Sequence, residues 1–493
     1  MMKSGMMPGH ALIIGSGIGG LTAGIILSKL HIPVTVVEKN ALPGGLMRSY
    51  RKSGIDCPVG VHYMGALDAG QPLRRIWDDL GVTSAIPLDR MGTEGIVDRY
   101  VFDDFIFDLP TGLDAFEESL NRTFPDEPRQ ISMIMADLRK MSSLLNSLDM
   151  VLSPDMAFLL PESLEPMGER LHLMACSRRL TSVLAVPSTL IGVPLHDCPV
   201  FYYYMTLASY LMSSWRLACS GAHMAEAFVS RLQALGGRLV TGDGVVSIKV
   251  DSGQVEGVLL DSGTFIPADT VIAALHPKKL LSLLPLAEVR PSYSQRVSQL
   301  TDTKGIFGIH LALNAEVNKP LPYNIYRLRP EPDGSLIRGV FYQLRQSGRP
   351  DTNLLSIITA SGIEEWRLWE HTQTGHRGGD YQAAKEQKAI PFIQEASELF
   401  GPLSEMKIID IYTPLSLRDW VGSPDGSPYG ILRSAGQLMK TASLNRPSVK
   451  GLYPAGQNRL CPGIMGTMLG SFQAVRQIIG REAFDMDVLG GLI

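Results

Sequence analysis

The stretch ALIIGSGIGGLTAGIILSKLHIPVTVVEKN, residues 11–40, decides the fold. Ala11–Ile14 reads as a short buried strand. Gly15, Gly17 and Gly20 follow it as G-x-G-x-x-G, with Ser16, Ile18 and Gly19 between them. Ile18, Leu21, Thr22 and Ile25 recur at helical spacing, so a helix follows and stops near His31–Pro33. VTVVE is a second strand ending on Glu38, with Lys39 next. Gly15 permits the tight turn. Gly17 lets a pyrophosphate approach the backbone, and Gly20 lets helix and strand pack closely. The helix start offers free N–H groups and a positive dipole end to phosphates. Glu38 lies 18 positions after Gly20, where a carboxylate binds ribose hydroxyls and repels a 2′-phosphate, so NADP is disfavoured.

The next residues choose between NAD and FAD. LPGGLMRSY puts Gly44 and Gly45 six and seven positions beyond Glu38, followed by Leu46, Met47 and Arg48. A cofactor that continues into a ribityl chain and a flat ring needs backbone passing close beside that extension. FAD is the expected cofactor.

Composition narrows the rest. A chain of 493 residues is too long for one ordinary core, so at least two domains are expected. The formal net charge of −4 gives no nucleic-acid surface. Five scattered cysteines without a C-x-x-C pair fit free thiols in a reducing compartment. No H-E-x-x-H or G-x-S-x-G occurs, and no metal site is expected. The start MMKSGMMPGH lacks the apolar run of a secretory signal. The uncharged tract CPVFYYYMTLASYLMSSW, residues 198–215, contains a proline and four tyrosines, so a buried or membrane-dipping segment is preferred to a span.

These motifs resemble the flavin-dependent phytoene desaturase, carotenoid isomerase and retinol saturase superfamily, nearest the bacterial retinol saturase-like branch. The resemblance rests on the glycine fingerprint, Glu38, Gly44–Gly45, Gly54 and GVHYMG at residues 60–65. GLYPAGQNRLCPGIMGTMLGSFQAVRQIIG, residues 451–480, resembles the second flavin motif of such proteins. The resemblance places Gly456 and Gln457 at the ribityl–phosphate region. It sets Gly463, Ile464 and Gly466 at a helix start facing the flavin pyrimidine. GDGVVSIKVDSGQVEGVLLDSG looks like a strand pair whose Val245 backbone meets adenine, and ADTVIAALHPKKLL, with Ala274, like the strand and turn closing the nucleotide domain. TPLSLRDWVGSPDGSPYGIL, residues 413–432, resembles a loop returning toward the flavin. Two departures concern the substrate side. Pro58 stands where the family has an aspartate, and Ser220-Gly221-Ala222 replaces Gly-Gly-Ser.

The resemblance sets Val61, His62 and Tyr63 beside the isoalloxazine, with His62 and Tyr63 as candidate acids for the bond undergoing redox. A core histidine and a packing tyrosine fit the same letters. The expected fold is α/β, a Rossmann-type FAD domain interleaved with a mixed α+β substrate domain. Residues 8–112, 221–295 and 436–493 form the first, and 113–220 and 296–435 the second, with a helical lid. Ile131, Ile134, Met135, Leu138, Met141, Leu145, Leu148 and Leu152 make an apolar helical stripe, suited to an ordinary core or to a lid over an oily pocket. Runs such as GIFGIHLALN and LLSIITA read as strands.

The expected activity is an FAD-dependent oxidoreductase of C=C bonds in an apolar conjugated isoprenoid, carotenoid or retinoid-like substrate, by saturase-type reduction. Desaturation, isomerisation, amine oxidation and a non-enzymatic prenyl-lipid carrier are the alternatives. The expected location is cytoplasmic, and the reading admits peripheral contact with the inner membrane face. The sequence sets no oligomeric state.

Overall fold

The computed structural model describes residues 7–148, 152, 161–445 and 447–492. The first six residues of the amino terminus and residues 149–151 of the stretch carrying the apolar stripe lie outside that set.

A five-stranded parallel sheet runs in the order Arg238–Thr241, Val34–Glu38, Ala11–Ile14, Thr270–Ala273, Leu452–Pro454. Its three central strands are buried throughout, as parallel strands covered on both faces must be. Helix Ile18–Lys29 follows the first strand, and helix Ile464–Ile479 packs against it. Strands from residue 11 and from residue 454 therefore share one sheet, which makes this α/β unit of both chain ends. A three-stranded antiparallel sheet, Val245–Asp251, Gln254–Leu260 and Phe265–Pro267, is the expected strand pair with one strand added.

The larger sheet has seven strands in the order Lys407–Tyr412, Gly305–Asn314, Thr352–Ser361, Leu336–Arg349, Asn324–Pro330, Asp98–Val101, Ile106–Leu109. Asp98–Val101 pairs with Asn324–Pro330 in parallel, and the other neighbours are antiparallel. The first segment of the nucleotide domain, drawn to residue 112, thus ends beyond two strands that pair into this sheet.

The stripe on helix Pro128–Asn146 is core: Ile131, Ile134, Met135 and Leu138 are fully buried, and the helix packs on Val200–Met212. The uncharged tract forms that second helix, which is buried along nearly its whole length. Among the described residues no helix is long and apolar enough to cross a membrane.

The expected loop at 413–432 contains a helix, Pro414–Val421. Thr413 Oγ1 accepts from the Leu415 N–H, Pro414 sits at the first turn, and Gly422 ends the helix at φ 79°. The glycines and prolines that suggested a loop are this helix's punctuation and the true loop after it. The turn expected after Ala274 likewise opens a helix, Pro277–Leu283, capped by the His276 ring.

Candidate active site

The glycine turn is built as its letters require. Gly15 has φ 98°, and its N–H donates to the Val37 carbonyl. A methyl on Gly20 would lie 1.9 Å from the Gly15 oxygen, so only glycine closes this strand–helix corner. Gly17 caps the helix, and a methyl there would meet nothing within 4 Å. Ile18 and Gly19 lie in the first turn. Glu38 ends its strand with both carboxylate oxygens engaged. Oε2 accepts from the Ser16 N–H at 3.1 Å and the Ser16 hydroxyl at 2.7 Å, and Oε1 from the Asn40 N–H at 2.9 Å.

The other predicted cofactor residues gather around this corner. Gly44 and Gly45 adopt φ 115° and 54°, and a methyl on Gly45 would lie 3.1 Å from Gly17 Cα. Leu46 and Met47 continue the same turn. Arg48 stacks over Trp420 at 5.4 Å. Lys39 donates to the Asp419 carbonyl at 2.8 Å, on helix Pro414–Val421. Gly244 presses on the Lys39 side chain, which sets Val245 at the end of the second strand. The Ala274 N–H donates to Ile14 O, and its own carbonyl faces Gly15.

The carboxy-terminal motif closes the site. Gly19 approaches Gly456: a methyl on the first would lie 2.9 Å from the second's Cα. Gln457 donates to the Pro428 carbonyl at 3.2 Å. Gly463 caps helix Ile464–Ile479, and a methyl there would meet nothing within 4 Å. One on Gly466 would strike Cys461 Sγ at 2.2 Å. Two open glycines at two helix starts, brought together from opposite chain ends, fit a dinucleotide with a long extension. Gly221 also has a role: a methyl there would lie 2.0 Å from the Met47 oxygen, while Ser220 caps the helix that follows.

Val61, His62 and Tyr63 lie between strand Ile55–Pro58 and the two-residue strand Met64–Gly65, over the larger sheet. That sheet presents two rows to them. The aromatic row is Tyr100, Tyr326 and Phe341, paired in register across three strands. Phe341 lies 5.3 Å from the His62 ring and stacks on Tyr63 at 6.3 Å. The polar row is Asp98, Asn324, Gln343, Ser356, His310 and Asp410, one residue from each of six strands. Asn324 donates to Asp98 Oδ1 at 2.8 Å, and Gln343 to Asn324 Oδ1 at 2.9 Å and to the His62 carbonyl at 3.2 Å. The His310 Nε2–H donates to the Pro58 carbonyl at 3.2 Å, which leaves Nδ1 to accept from Ser356.

Tyr63 joins the two rows. Its hydroxyl donates to Asp98 Oδ2 at 2.9 Å and lies 2.8 Å from the Tyr326 hydroxyl. Asp98 is 1% exposed and forms no ion pair among the described residues, though the Arg216 guanidinium acts on it. Burial pushes its carboxyl up to about 7, against the pull of its Asn324 and Tyr63 hydrogen bonds. Burial holds Tyr63 far above the ordinary phenol range and pushes His62 down to about 3. At neutral pH His62 is thus a neutral imidazole, and Tyr63 is the member of the predicted pair that is wired to a titrating carboxyl. Asp98, Asn324, Tyr326 and Gln343 carried no sequence signal, because only strand register assembles them.

Asp98 gives a stability prediction. Below about pH 4 the folded and unfolded chains both carry this proton, and ionisation costs nothing. Between about pH 4 and 7 only the unfolded chain loses it, so folding weakens as pH rises, by roughly 4 kcal/mol in all. Asp98→Asn keeps the shape and removes the titration. Denaturant unfolding at pH 5 and pH 8 should show the wild type losing stability relative to D98N. Parallel curves would contradict the Asp98 assignment.

Residues 13–80 match the NAD(P)-binding Rossmann-like domain family. All-trans-retinol 13,14-reductase of Danio rerio is 22% identical, across 97% of this chain and 87% of its own. The chloroplastic prolycopene isomerase of Arabidopsis thaliana is 24% identical over 91% of this chain and 78% of its own. All-trans-zeta-carotene desaturase of Myxococcus xanthus is 26% identical over 61% of this chain and 58% of its own. Among solved structures, an oxidoreductase from Methanosarcina mazei superposes with TM-score 0.64 at 16% identity, covering 95% of this chain and all of that one. The fatty acid isomerase from P. acnes gives 0.63 at 16%, covering 95% and 97%. The chain is thus a relative, over nearly its whole length, of the retinol 13,14-reductases and prolycopene isomerases, built on the same α/β fold as these solved structures.

Proposed function

We propose that this protein is an FAD-dependent oxidoreductase that acts on a C=C bond of an apolar, conjugated isoprenoid-type substrate, in the reducing direction. The observation that carries the reading is the Tyr63–Asp98 hydrogen bond on a segment whose Gly60 packs on Leu46, next to a glycine corner shaped for a dinucleotide. Gly17 and Gly463 would hold the pyrophosphate and the flavin pyrimidine of FAD, with Glu38 at the ribose. FAD, when bound and reduced, supplies a hydride to one carbon of the double bond. With Asp98 protonated, its carboxyl donates to the Tyr63 oxygen across the 2.9 Å contact. This frees the Tyr63 hydroxyl proton for the neighbouring carbon and returns a proton from Asp98 to Tyr63. Tyr326 and Asn324 hold that pair in line, and Phe341 with Tyr210, 4.7 Å from Tyr63, makes the wall for the polyene. His62, neutral and packed on Phe341, shapes the pocket.

Direction has a pH signature. Reduction needs Asp98 protonated, so its rate should fall as pH rises through about 7. Desaturation needs the carboxylate as acceptor, so its rate should climb through the same range. Holoprotein reduced with dithionite and mixed anaerobically with all-trans-retinol or all-trans-retinoic acid should reoxidise its flavin and bleach the polyene band with at least one of them, faster at pH 6 than at pH 8. Flavin that responds to amines and ignores polyenes would overturn the reading.

A further inference from the structure

Two half-buried cations beside the candidate site form no ion pair among the described residues. Arg345 follows Gln343 along the same face of strand Leu336–Arg349. Among the described residues its guanidinium forms no hydrogen bond and no ion pair, and its Nε is buried without a partner. Arg216, on strand Ser214–Leu217, donates through Nη1 to the Leu321 carbonyl at 3.0 Å, while Nη2 is buried and unpartnered. Gln343, two residues before Arg345, donates to the His62 carbonyl at 3.2 Å, and the strand of Arg216 pairs with Met64–Gly65 just after Tyr63. Both guanidiniums therefore lie beside His62, on which Arg345 acts electrostatically.

The groups around them do not neutralise them. Burial pushes the Cys57 thiol up to about 12, and Cys219 shifts the same way, so both thiols stay neutral. Asp56 acts on Arg345, and Asp98 and Asp89 on Arg216, without an ion pair among the described residues; Asp98 itself is hydrogen-bonded to Tyr63 and Asn324. A guanidinium nitrogen buried without a partner is costly for a fold to keep. Its planar fork of donors matches a carboxylate. His62 Nδ1, also buried without a partner, lies in the same neighbourhood.

We propose that Arg345 and Arg216 bind the carboxylate end of a long apolar substrate whose chain lies along the Tyr63, Tyr326 and Phe341 rings. The substrate class is then a carboxylic acid, not a neutral hydrocarbon or alcohol. This rests on the reading of the site as one for an apolar chain, but not on the redox step. The acid can come from an isoprenoid polyene or from an unsaturated fatty chain.

Equilibrium dialysis of the holoprotein separates the cases without reading turnover. The probes are all-trans-retinoic acid, all-trans-retinol and linoleate. At least one acid should bind roughly tenfold or more tighter than retinol, and Arg345→Gln should lose that advantage while binding retinol unchanged. R216Q should act in the same sense. The preferred acid identifies the chain type. R345Q should melt no lower than the wild type without ligand, because the guanidinium holds nothing in the protein. A marked fall in its melting temperature would overturn the proposal. So would retinol binding tighter than both acids, or acid affinity unmoved in R345Q. Acid binding through Arg345 with no polyene reduction would instead overturn the redox reading and leave this site standing.

Discussion

Tyr63→Phe should lower turnover of the reduced holoprotein by roughly a hundredfold or more, the usual worth of a positioned general acid. FAD content and fold should stay close to wild type, because the ring keeps its packing on Tyr210 and Phe341. The loss should fall on kcat more than on KM, since the hydroxyl serves the reacting carbon and not the rest of the chain. The decline of rate above pH 7 should vanish with it, because Asp98 then has no route to substrate. His62→Ala makes the contrast. A neutral imidazole held at about 3 delivers no proton as an imidazolium, so its removal should alter binding and packing with a smaller fall in kcat. Stopped-flow measurement of polyene bleaching across pH 5–9 reads all of these. A Y63F enzyme with wild-type rate and an intact alkaline limb would remove Tyr63 from the chemistry.

The second large effect separates two glycines in one motif. Gly20→Ala drives a methyl to 1.9 Å from the Gly15 carbonyl oxygen, against backbone that cannot move without parting helix from strand. That variant should fail to yield folded protein. Gly17→Val adds its side chain where nothing lies within 4 Å, at φ −64°, which any residue adopts. It should fold and melt like the wild type, yet bind no dinucleotide, because the side chain occupies the place of the pyrophosphate. Circular dichroism with flavin absorbance distinguishes the outcomes. A G17V protein that stays yellow would show that the cofactor does not pass this turn.

The nucleotide half was legible because its constraints are local. A glycine that must have no Cβ, and an acid at the end of a strand, announce themselves in thirty letters. The meeting of Gly19 with Gly456 is a long-range contact, and it was reached only through the resemblance of the carboxy-terminal motif. The floor of the active site was not legible. Asp98 lies in an unremarkable strand and joins the candidate site through its register with Asn324 and the reach of Tyr63. His62 and Tyr63 stood out for the glycines around them, but burial, which divides their roles, is set by strands some 260 to 280 residues further on. Helix Pro414–Val421 was hidden by the same prolines and glycines that cap it.

Mass spectrometry of the small molecules released from the freshly purified, acid-denatured protein tests the central claim, that both chain ends fold together around one long redox dinucleotide. FAD in equimolar amount with the chain is the expected result. NAD alone, or a bound lipid with no flavin in a correctly folded protein, would contradict it.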